Sequence, residues 1–219
     1  MTEETGGTGR CLIIAAGPMG EYGAILRKAA PRAGDRVLCV DGGYRHAAGL
    51  GLTPEAVIGD LDSLGDAPAG VRVLRFPPEK DQTDTVLAID YALRQGCREL
   101  CILGGLRGRL DHTYANFCAL QYIYHHGATG SILDADNEVY LLEAGSVSFP
   151  HRKDTYISVF PFGERAGGVT ERGLKYPLED ATLHSDFPLG VSNEFAAPTA
   201  VISAEKGPLL IILSQKEKA

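Results

Sequence analysis

The sequence lacks several features that would narrow its function at once. Its 219 residues include no tryptophan and only 5 cysteines, and no apolar stretch approaches the roughly 20 residues that a bilayer-spanning helix needs. The cysteines are odd in number and stand at no metal-ligand spacing, so we expect buried thiols rather than disulfides or a zinc site. The N-terminus has no signal-peptide pattern. These absences predict a cytoplasmic protein that does not associate with a membrane.

The charge balance and the missing motifs exclude further classes. The chain carries 28 Asp and Glu residues against 21 Lys and Arg, a formal net charge of −7. Binding to nucleic acid needs a basic surface that displaces counterions, so no nucleic-acid partner is expected. The sequence also lacks GxxxxGK[ST], a GxGxxG after its first apolar run, and GxSxG, which disfavours P-loop, dinucleotide-cofactor and serine-hydrolase chemistry. A small phosphate ligand is still compatible if a metal cation mediates its binding.

The first part of the chain alternates short apolar runs with amphipathic stretches of helical period. The pattern predicts strands at 11–15, 36–40, 56–58, 71–76, 99–103 and 131–133, and helices at 22–30, 44–50, 83–95 and 111–126. Strands that alternate with helices indicate a largely parallel sheet with helices on its faces. We therefore predict an α/β domain of the Rossmann-like kind, with a mainly parallel sheet, over residues 1–136.

The pattern changes near Asn137 and loses its helical period. Short strand-like runs now follow one another with turn residues between them, from EVYLLEA at 138–144 to PLLIILS at 208–214. Such spacing is typical of an antiparallel sandwich or barrel. Residues 137–219 are predicted to form a second, all-β domain, and we interpret this domain as a sandwich.

Aspartate and glycine residues recur in four loops, each placed after a predicted strand. The loops are DGG at 41–43, GDLDS at 59–63, KDQTD at 80–84 and GGLRGRLDH at 104–112. Ligands of open parallel sheets bind at the carboxyl ends of the strands, where all four loops would meet. Aspartate oxygens suit magnesium, and glycines let the backbone approach a phosphate. The sequence therefore predicts a magnesium-dependent phosphate-handling site.

Each loop alone has a simpler explanation. Asp60 and Asp62 could be turn or N-cap residues, and Asp81 or Thr83 could cap the following helix. Arg109 could pair with Asp111 on the surface. Four such loops in succession are harder to explain as independent turns, so the joint functional interpretation is favoured.

The ordered set of motifs resembles the thiamine pyrophosphokinase family over most of the chain. The similarity lies at 41–64, 77–93 and 104–116, and continues through GLKYPL at 173–178 and GVSNEF at 190–195. The resemblance implies an α/β domain followed by a β-sandwich. It also implies transfer of the pyrophosphoryl group of ATP to the hydroxyl of thiamine, which gives thiamine diphosphate and AMP.

The resemblance assigns roles to the acidic loops. Asp60, Asp62 and Asp84 would hold Mg²⁺ and, through it, the phosphates of ATP. The residues implied to line the nucleotide and phosphate region are Asp41, Lys80, Asp81, Thr83 and Arg109. Asp111 would lie near thiamine. A carboxylate such as Asp41 or Asp111 could accept the hydroxyl proton, and the sequence leaves open which of them does so and whether the reaction needs a base.

The resemblance also implies a thiamine site in the β domain and a homodimer. Ser192 and Asn193 would contact thiamine. The family's GLKW-type motif carries an aromatic ring that stacks on the thiamine pyrimidine, and Tyr176 stands there in this sequence. A tyrosine ring can stack but offers less area than tryptophan. The alternatives left open are another magnesium-dependent phosphotransferase or nucleotide hydrolase, and a sensor that binds thiamine or a nucleotide without turnover.

Overall fold

The structure is a computed structural model that describes residues 9–59, 70–76 and 81–217. The chain divides into two compact units, Met1–Ala135 and Asp136–Ala219. Within the described part, no helix combines the length and the apolar character required to cross a membrane.

The N-terminal unit alternates strands with helices, as predicted. Its elements are β1 (Arg10–Ile14), α1 (Tyr22–Ala29), β2 (Arg36–Val40), a 3-10 turn (Asp41–Gly43), α2 (Tyr44–Gly49), β3 (Ala56–Gly59), β4 (Arg72–Arg75), α3 (Asp84–Arg94), β5 (Glu99–Leu103), α4 (Leu110–His125) and β6 (Thr129–Leu133). The strands lie in the order β6-β5-β1-β2-β3-β4. Every neighbouring pair among them is parallel, so the predicted parallel sheet is confirmed.

The sheet is buried at its centre because its middle strands are apolar on both faces. All five residues of β1 are buried, and Ile13 is aligned with Leu38 of β2 and Ile102 of β5. Parallel strands covered by helices on both faces show this continuous apolar pattern. The centre of the sheet is therefore a rigid base for the loops that follow its strands.

Local signals in the sequence determine where two of the helices end. Ala30 caps α1 in the left-handed region at φ 41°, directly before Pro31, which cannot continue a helix. Gly96 follows α3 at φ 84°, a conformation that glycine adopts at little cost. Both stops agree with the sequence prediction.

A buried ion pair joins the start of the first strand to the loop after the first helix. Arg10, at 8% exposure, donates to Asp35 with Nη2 to Oδ2 at 2.6 Å, and its Nη1 donates to the Ala29 carbonyl at 2.9 Å. Its guanidinium also donates to the main-chain carbonyls of Ala29 and Ala30, and these bonds help to offset the cost of its burial. No local pattern predicts this pair, because its partners are 25 residues apart in the chain.

The C-terminal unit consists of short antiparallel strands. They are β7 (Asn137–Leu142), β8 (Gly145–Pro150), β9 (Thr155–Pro161), β10 (Arg165–Arg172), β11 (Leu178–His184), β12 (Asn193–Glu194), β13 (Thr199–Ala204) and β14 (Leu209–Gln215). One group is ordered β11-β10-β13-β8 and the other β12-β9-β14-β7. Val169, Ile202, Val159 and Ile211 from the two groups share one hydrophobic cluster, so alternate residues of these strands face a common core.

The cysteines follow the sequence prediction with one exception. All five are free thiols, and Cys11, Cys39, Cys97 and Cys101 are buried. Cys118 is exposed, so the expectation that it is a buried thiol is wrong. The helix α4 buries the face that contains Ala119, Leu120 and Ile123, and Cys118 lies outside it.

Candidate functional site

A pocket of about 490 Å³ lies at the carboxyl ends of strands in the N-terminal unit. The loops after β1, β2 and β5 line it together with the first turn of α3. β1 and β5 are hydrogen-bonded neighbours although α1 to α3 separate them in sequence. An open parallel sheet binds ligands where its strand order changes direction in this way, and the volume is typical of a small-molecule site.

Two glycines allow the loops of this pocket to come close together. A Cβ atom on Gly17 would lie 2.5 Å from the carbonyl oxygen of Gly104 and 3.0 Å from that of Arg107. A Cβ atom on Gly43 would overlap the carbonyl of Ile14. Both positions therefore require glycine. The loop at 15–18 was not predicted as part of the site, although a Gly-Pro pair after an apolar run is a recognisable turn signal.

Asp41 lies in the pocket wall in a strained conformation. It follows β2 at φ 44°, in the left-handed region, and begins the 3-10 turn. Its Oδ1 atom is buried. A non-glycine residue in this region costs on the order of 1 kcal/mol, and such residues cluster at functional sites. The neighbouring Gly59 leaves room for this carboxylate, because a Cβ atom there would overlap it.

Thr83 and Asp84 join the pocket at the start of α3. The Thr83 hydroxyl accepts a hydrogen bond from the Val86 N–H at 3.3 Å, so Thr83 is the N-cap that the sequence allowed. Asp84 occupies the first helical position, and its Oδ1 atom is buried. Capping and pocket lining are compatible, since both side chains line the pocket while Thr83 caps the helix.

Arg109 and Asp111 form an exposed ion pair. The guanidinium donates through Nη2 to Oδ2 at 2.6 Å and through Nε to Oδ1 at 3.2 Å. The hydrogen bond from Arg109 lowers the pKa of Asp111, and the same bond raises the pKa of Arg109. The simpler interpretation of Arg109 from the sequence, an ion pair on the surface, is therefore confirmed. Arg109 nevertheless lines the pocket.

The structure brings together Asp41, Thr83, Asp84 and Arg109 from the predicted site. Asp81 is exposed near the start of α3. Asp60, Asp62 and Lys80 lie outside the described residues. Within ranges 9–59, 70–76 and 81–217, no three His, Cys, Asp or Glu side chains gather as metal ligands.

Two polar contacts that the sequence did not reveal fix the loops around the pocket. Asn116 of α4 is 8% exposed and donates through Nδ2 to the Gly105 carbonyl at 2.9 Å. Arg107 donates through Nε to the fully buried Asp134 at 3.1 Å. The sequence signal available for the first contact was an asparagine at a position of helix α4 that otherwise follows an apolar period. The second contact joins residues 27 apart, so no local pattern indicates it.

A second, smaller pocket of about 240 Å³ lies within the C-terminal unit. It is lined by Tyr176, Leu189, Val191 and Asn193, and by the fully buried Glu171. Two residues of the predicted thiamine site, Tyr176 and Asn193, therefore come together here. The exposed Tyr176 ring is approached by Lys175, whose Nζ is 5.5 Å from its centroid.

Ser192, the third residue predicted for that site, is held by its main chain. It has φ 58°, and its N–H donates to the Ser158 hydroxyl at 3.0 Å. Its side chain is exposed next to Asn193. Glu171 was not predicted as a site residue, because an acidic residue within VTERGLKY appears as an ordinary strand residue.

Comparisons with known proteins agree with this architecture. Residues 31–130 match the family model "Thiamin pyrophosphokinase, catalytic domain", and residues 146–209 match "Thiamin pyrophosphokinase, vitamin B1 binding domain". The thiamine pyrophosphokinase of Bacillus subtilis (strain 168) is 30% identical over 185 residues, which cover 80% of this chain and 85% of that protein.

Solved structures give the same result. A crystal structure of thiamine pyrophosphokinase from Bacillus subtilis has a TM-score of 0.85 at 27% identity, and covers 95% of this chain and 100% of the other. The yeast thiamin pyrophosphokinase structure, at 16% identity, has a TM-score of 0.78 over 97% of this chain and 88% of the other, and shares the fold.

Proposed function

Because this chain belongs to the thiamin pyrophosphokinase family, we propose that it transfers the pyrophosphoryl group of ATP to the hydroxyl of thiamine. The products are thiamine diphosphate and AMP. The observation that carries the proposal is the strand-end pocket, where Asp41, Asp84 and Arg109 meet glycine-rich loops. Phosphoryl transfer asks mainly for positioning and charge neutralisation, and these groups can supply both.

We assign nucleotide binding and thiamine binding to different parts of the chain. Residues 1–136 form a Rossmann-like catalytic domain that binds the nucleotide and the metal. Residues 137–219 form a β-sandwich that binds thiamine and mediates dimerisation. The buried free thiols suit a reducing compartment, so we place the enzyme in the cytoplasm.

The phosphates of ATP are proposed to bind at the starts of α3 and α4. Helix N-termini present N–H groups and partial positive charge to anions. Thr83 and Asp84 begin α3, and Arg109 precedes α4. Arg107 and Arg109 line the pocket wall, each paired with an aspartate, and are assigned to donate N–H groups to the phosphates. Lys80, from the same predicted loop as Asp81, is assigned to the phosphates as well.

Asp60, Asp62 and Asp84 are proposed to hold Mg²⁺. The fit is supported by Asp84, whose buried Oδ1 atom lies at the pocket wall, and by the hard oxygen donors that all three residues offer. When bound, Mg²⁺ would neutralise charge on the phosphate oxygens.

We expect Asp84→Asn to raise the Mg²⁺ concentration needed for half-maximal activity by about tenfold or more, because a neutral amide is a weaker ligand than a carboxylate. Titration of initial rates with Mg²⁺ measures the change. Asp186→Asn, which removes an exposed carboxylate in the other unit, is the matched control. An unchanged Mg²⁺ requirement in Asp84→Asn would contradict the assignment.

Asp41 is the better candidate to accept the proton of the thiamine hydroxyl. It lines the pocket and its Oδ1 atom is buried. Asp111 is exposed and engaged by Arg109, and this bond lowers its pKa and weakens it as a base. We therefore propose Asp41 as the base.

Tyr176 is proposed to stack on the pyrimidine ring of thiamine. We expect Tyr176→Ala to raise the KM for thiamine about tenfold, because a tenfold change in affinity corresponds to the loss of one typical aromatic contact. The KM for ATP should change little. Tyr176→Phe keeps the ring and should retain normal kinetics. Equal KM values for thiamine in Tyr176→Ala and the parent enzyme would exclude stacking at this position.

The enzyme is proposed to act as a homodimer. Tyr176, Leu189 and Val191 line the C-terminal pocket and are each at least 51% exposed. Phe187, two residues before Leu189, is 64% exposed. Large exposed apolar side chains that lie close together form a suitable interface with a second copy of the chain. Sedimentation velocity should show a species of twice 23.3 kDa, whereas a monomer at assay concentration would contradict the proposal.

Product analysis tests the proposed reaction. Purified protein is incubated with thiamine, ATP and Mg²⁺, and the products are separated by chromatography. Thiamine diphosphate and AMP in equal amounts, lost on addition of EDTA, are expected. ADP in place of AMP would indicate a simple kinase or ATPase, and ligand binding without any product would indicate a sensor.

A further inference from the structure

The C-terminal pocket contains a carboxyl group that the predicted site does not use. Glu171 of β10 is fully buried and lines the pocket. Its Oε2 atom accepts a hydrogen bond from Asn193 Nδ2 at 3.1 Å. Its Oε1 atom is buried and has no hydrogen-bond partner among the described residues. A buried polar atom without a partner is costly and needs an explanation in a folded protein.

Asn193 cannot contact a ligand through its side chain without losing an internal bond. Its Nδ2 donates to Glu171 and to the Tyr176 carbonyl at 2.8 Å, and its Oδ1 accepts from the N–H groups of Tyr176 and Glu194, each at 3.0 Å. These four bonds use the full capacity of a primary amide. Asn193 is therefore a positioning residue that holds Tyr176 and Glu171 on the same pocket.

The charged groups near the pocket do not neutralise Glu171. Its cross-strand partners are Leu178 and Ile202, which are apolar. Lys175 pairs with the carboxylate of Glu194 at 3.2 Å, and Tyr176 is the other titratable side chain of the pocket lining. Burial raises the pKa of Glu171 to about 7, and the bond from Asn193 opposes this shift only in part.

The pocket thus offers one unsatisfied acceptor beside an aromatic ring and apolar walls. Tyr176, Leu189 and Val191 suit the faces of a flat ring, and Glu171 Oε1 suits a polar group on its edge. A ring N–H or amine donor would supply the missing partner. Among the parts of thiamine, the aminopyrimidine has this form, whereas the thiazolium ring carries no N–H.

We propose that Glu171 is a specificity-determining residue for thiamine, whose Oε1 atom accepts a hydrogen bond from the amino group of the pyrimidine ring. This inference rests on the proposed function, which assigns thiamine to the C-terminal unit. Asn193 fixes the orientation of the carboxylate, and Tyr176 covers the ring.

Glu171→Gln tests the direction of this hydrogen bond. The Asn193 Nδ2 donor requires an acceptor, so the glutamine should turn its oxygen towards Asn193 and its NH₂ group towards the pocket. Two donors would then face each other when thiamine binds. An analogue with an oxo group in place of the pyrimidine amine reverses the match, because it accepts where thiamine donates.

Titration calorimetry measures the affinity for thiamine and for the oxo analogue, with the parent enzyme and with the Glu171→Gln variant. The parent enzyme should prefer thiamine by roughly 10- to 100-fold, the cost of a mismatched buried hydrogen bond, and Glu171→Gln should abolish or reverse this preference. Below pH 7 the affinity of the parent enzyme for thiamine should fall as the carboxyl gains a proton, and this fall should disappear in Glu171→Gln.

Two results would overturn the proposal: equal affinities of the parent enzyme for the two ligands, or an unchanged preference in Glu171→Gln. The first requires no variant, so it stands even if the substitution impairs folding. Glu164→Gln, an exposed residue of the same unit, is the matched control. Product formation is scored separately: a parent enzyme that binds thiamine with the expected preference but makes no thiamine diphosphate contradicts the proposed reaction and leaves the role of Glu171 intact.

Discussion

Asp41→Asn is expected to lower kcat by roughly 10²- to 10⁴-fold, the contribution typical of a general base. The substitution preserves shape but removes the carboxylate that is proposed to take the hydroxyl proton of thiamine. Binding should change much less, because the asparagine retains the volume and one acceptor oxygen at the pocket wall. Steady-state kinetics with both substrates measure the change, and circular dichroism checks the fold.

Asp111→Asn provides the comparison for this prediction. Asp111 is exposed and paired with Arg109, so its loss should weaken substrate binding more than it slows the chemical step. If Asp111→Asn loses kcat and Asp41→Asn retains it, the proton is accepted at Asp111 and our assignment of the base is wrong.

Gly59→Ala is expected to remove most activity without any change to a polar side chain. Gly59 has φ 149°, and an added Cβ atom would overlap the carboxylate of Asp41. The carboxylate must move away, so the loss in kcat should approach that of Asp41→Asn. Gly59 also directly precedes Asp60, one of the proposed metal ligands.

Gly51→Ala separates this steric effect from backbone strain. Gly51 has φ 64°, but no heavy atom lies within 4 Å of an added Cβ. Its substitution should cost about 1 kcal/mol of stability through strain alone and leave kcat near normal. Steady-state kinetics and thermal melting of the two variants distinguish the steric effect on Asp41 from backbone strain. Similar activity in Gly59→Ala and Gly51→Ala would show that the position of the Asp41 carboxylate does not depend on Gly59.

The fold of the N-terminal unit was predictable because its signals are local. The bounds of β2 and β5 agree with the apolar runs RVLCV and ELCIL. Pro31 marks a helix end because proline cannot continue a helix, and Gly96 marks another because glycine readily adopts the left-handed conformation that ends one. The loss of helical period after Asn137 likewise indicated the antiparallel strands of the second unit. Each of these features depends on neighbouring residues alone.

The site was predictable only in part, because several of its contacts join distant residues. Periodic strands placed Asp41, Asp84 and Arg109 at the same edge of a sheet, and the structure has them around one pocket. The bond from Arg107 to Asp134 depends on how β5 and β6 align, which no local pattern reveals. Glu171 is hidden for the same reason, since its burial follows from the packing of β10 against neighbouring strands.

The transfer of an intact pyrophosphoryl group is tested most directly with ATP that carries a radioactive β-phosphate. We expect the label to appear in thiamine diphosphate in a one-to-one ratio with the AMP formed, because the bond between the α- and β-phosphates breaks. Label that remains in ADP, or that is released as inorganic phosphate or pyrophosphate while thiamine is unchanged, would contradict the proposed reaction.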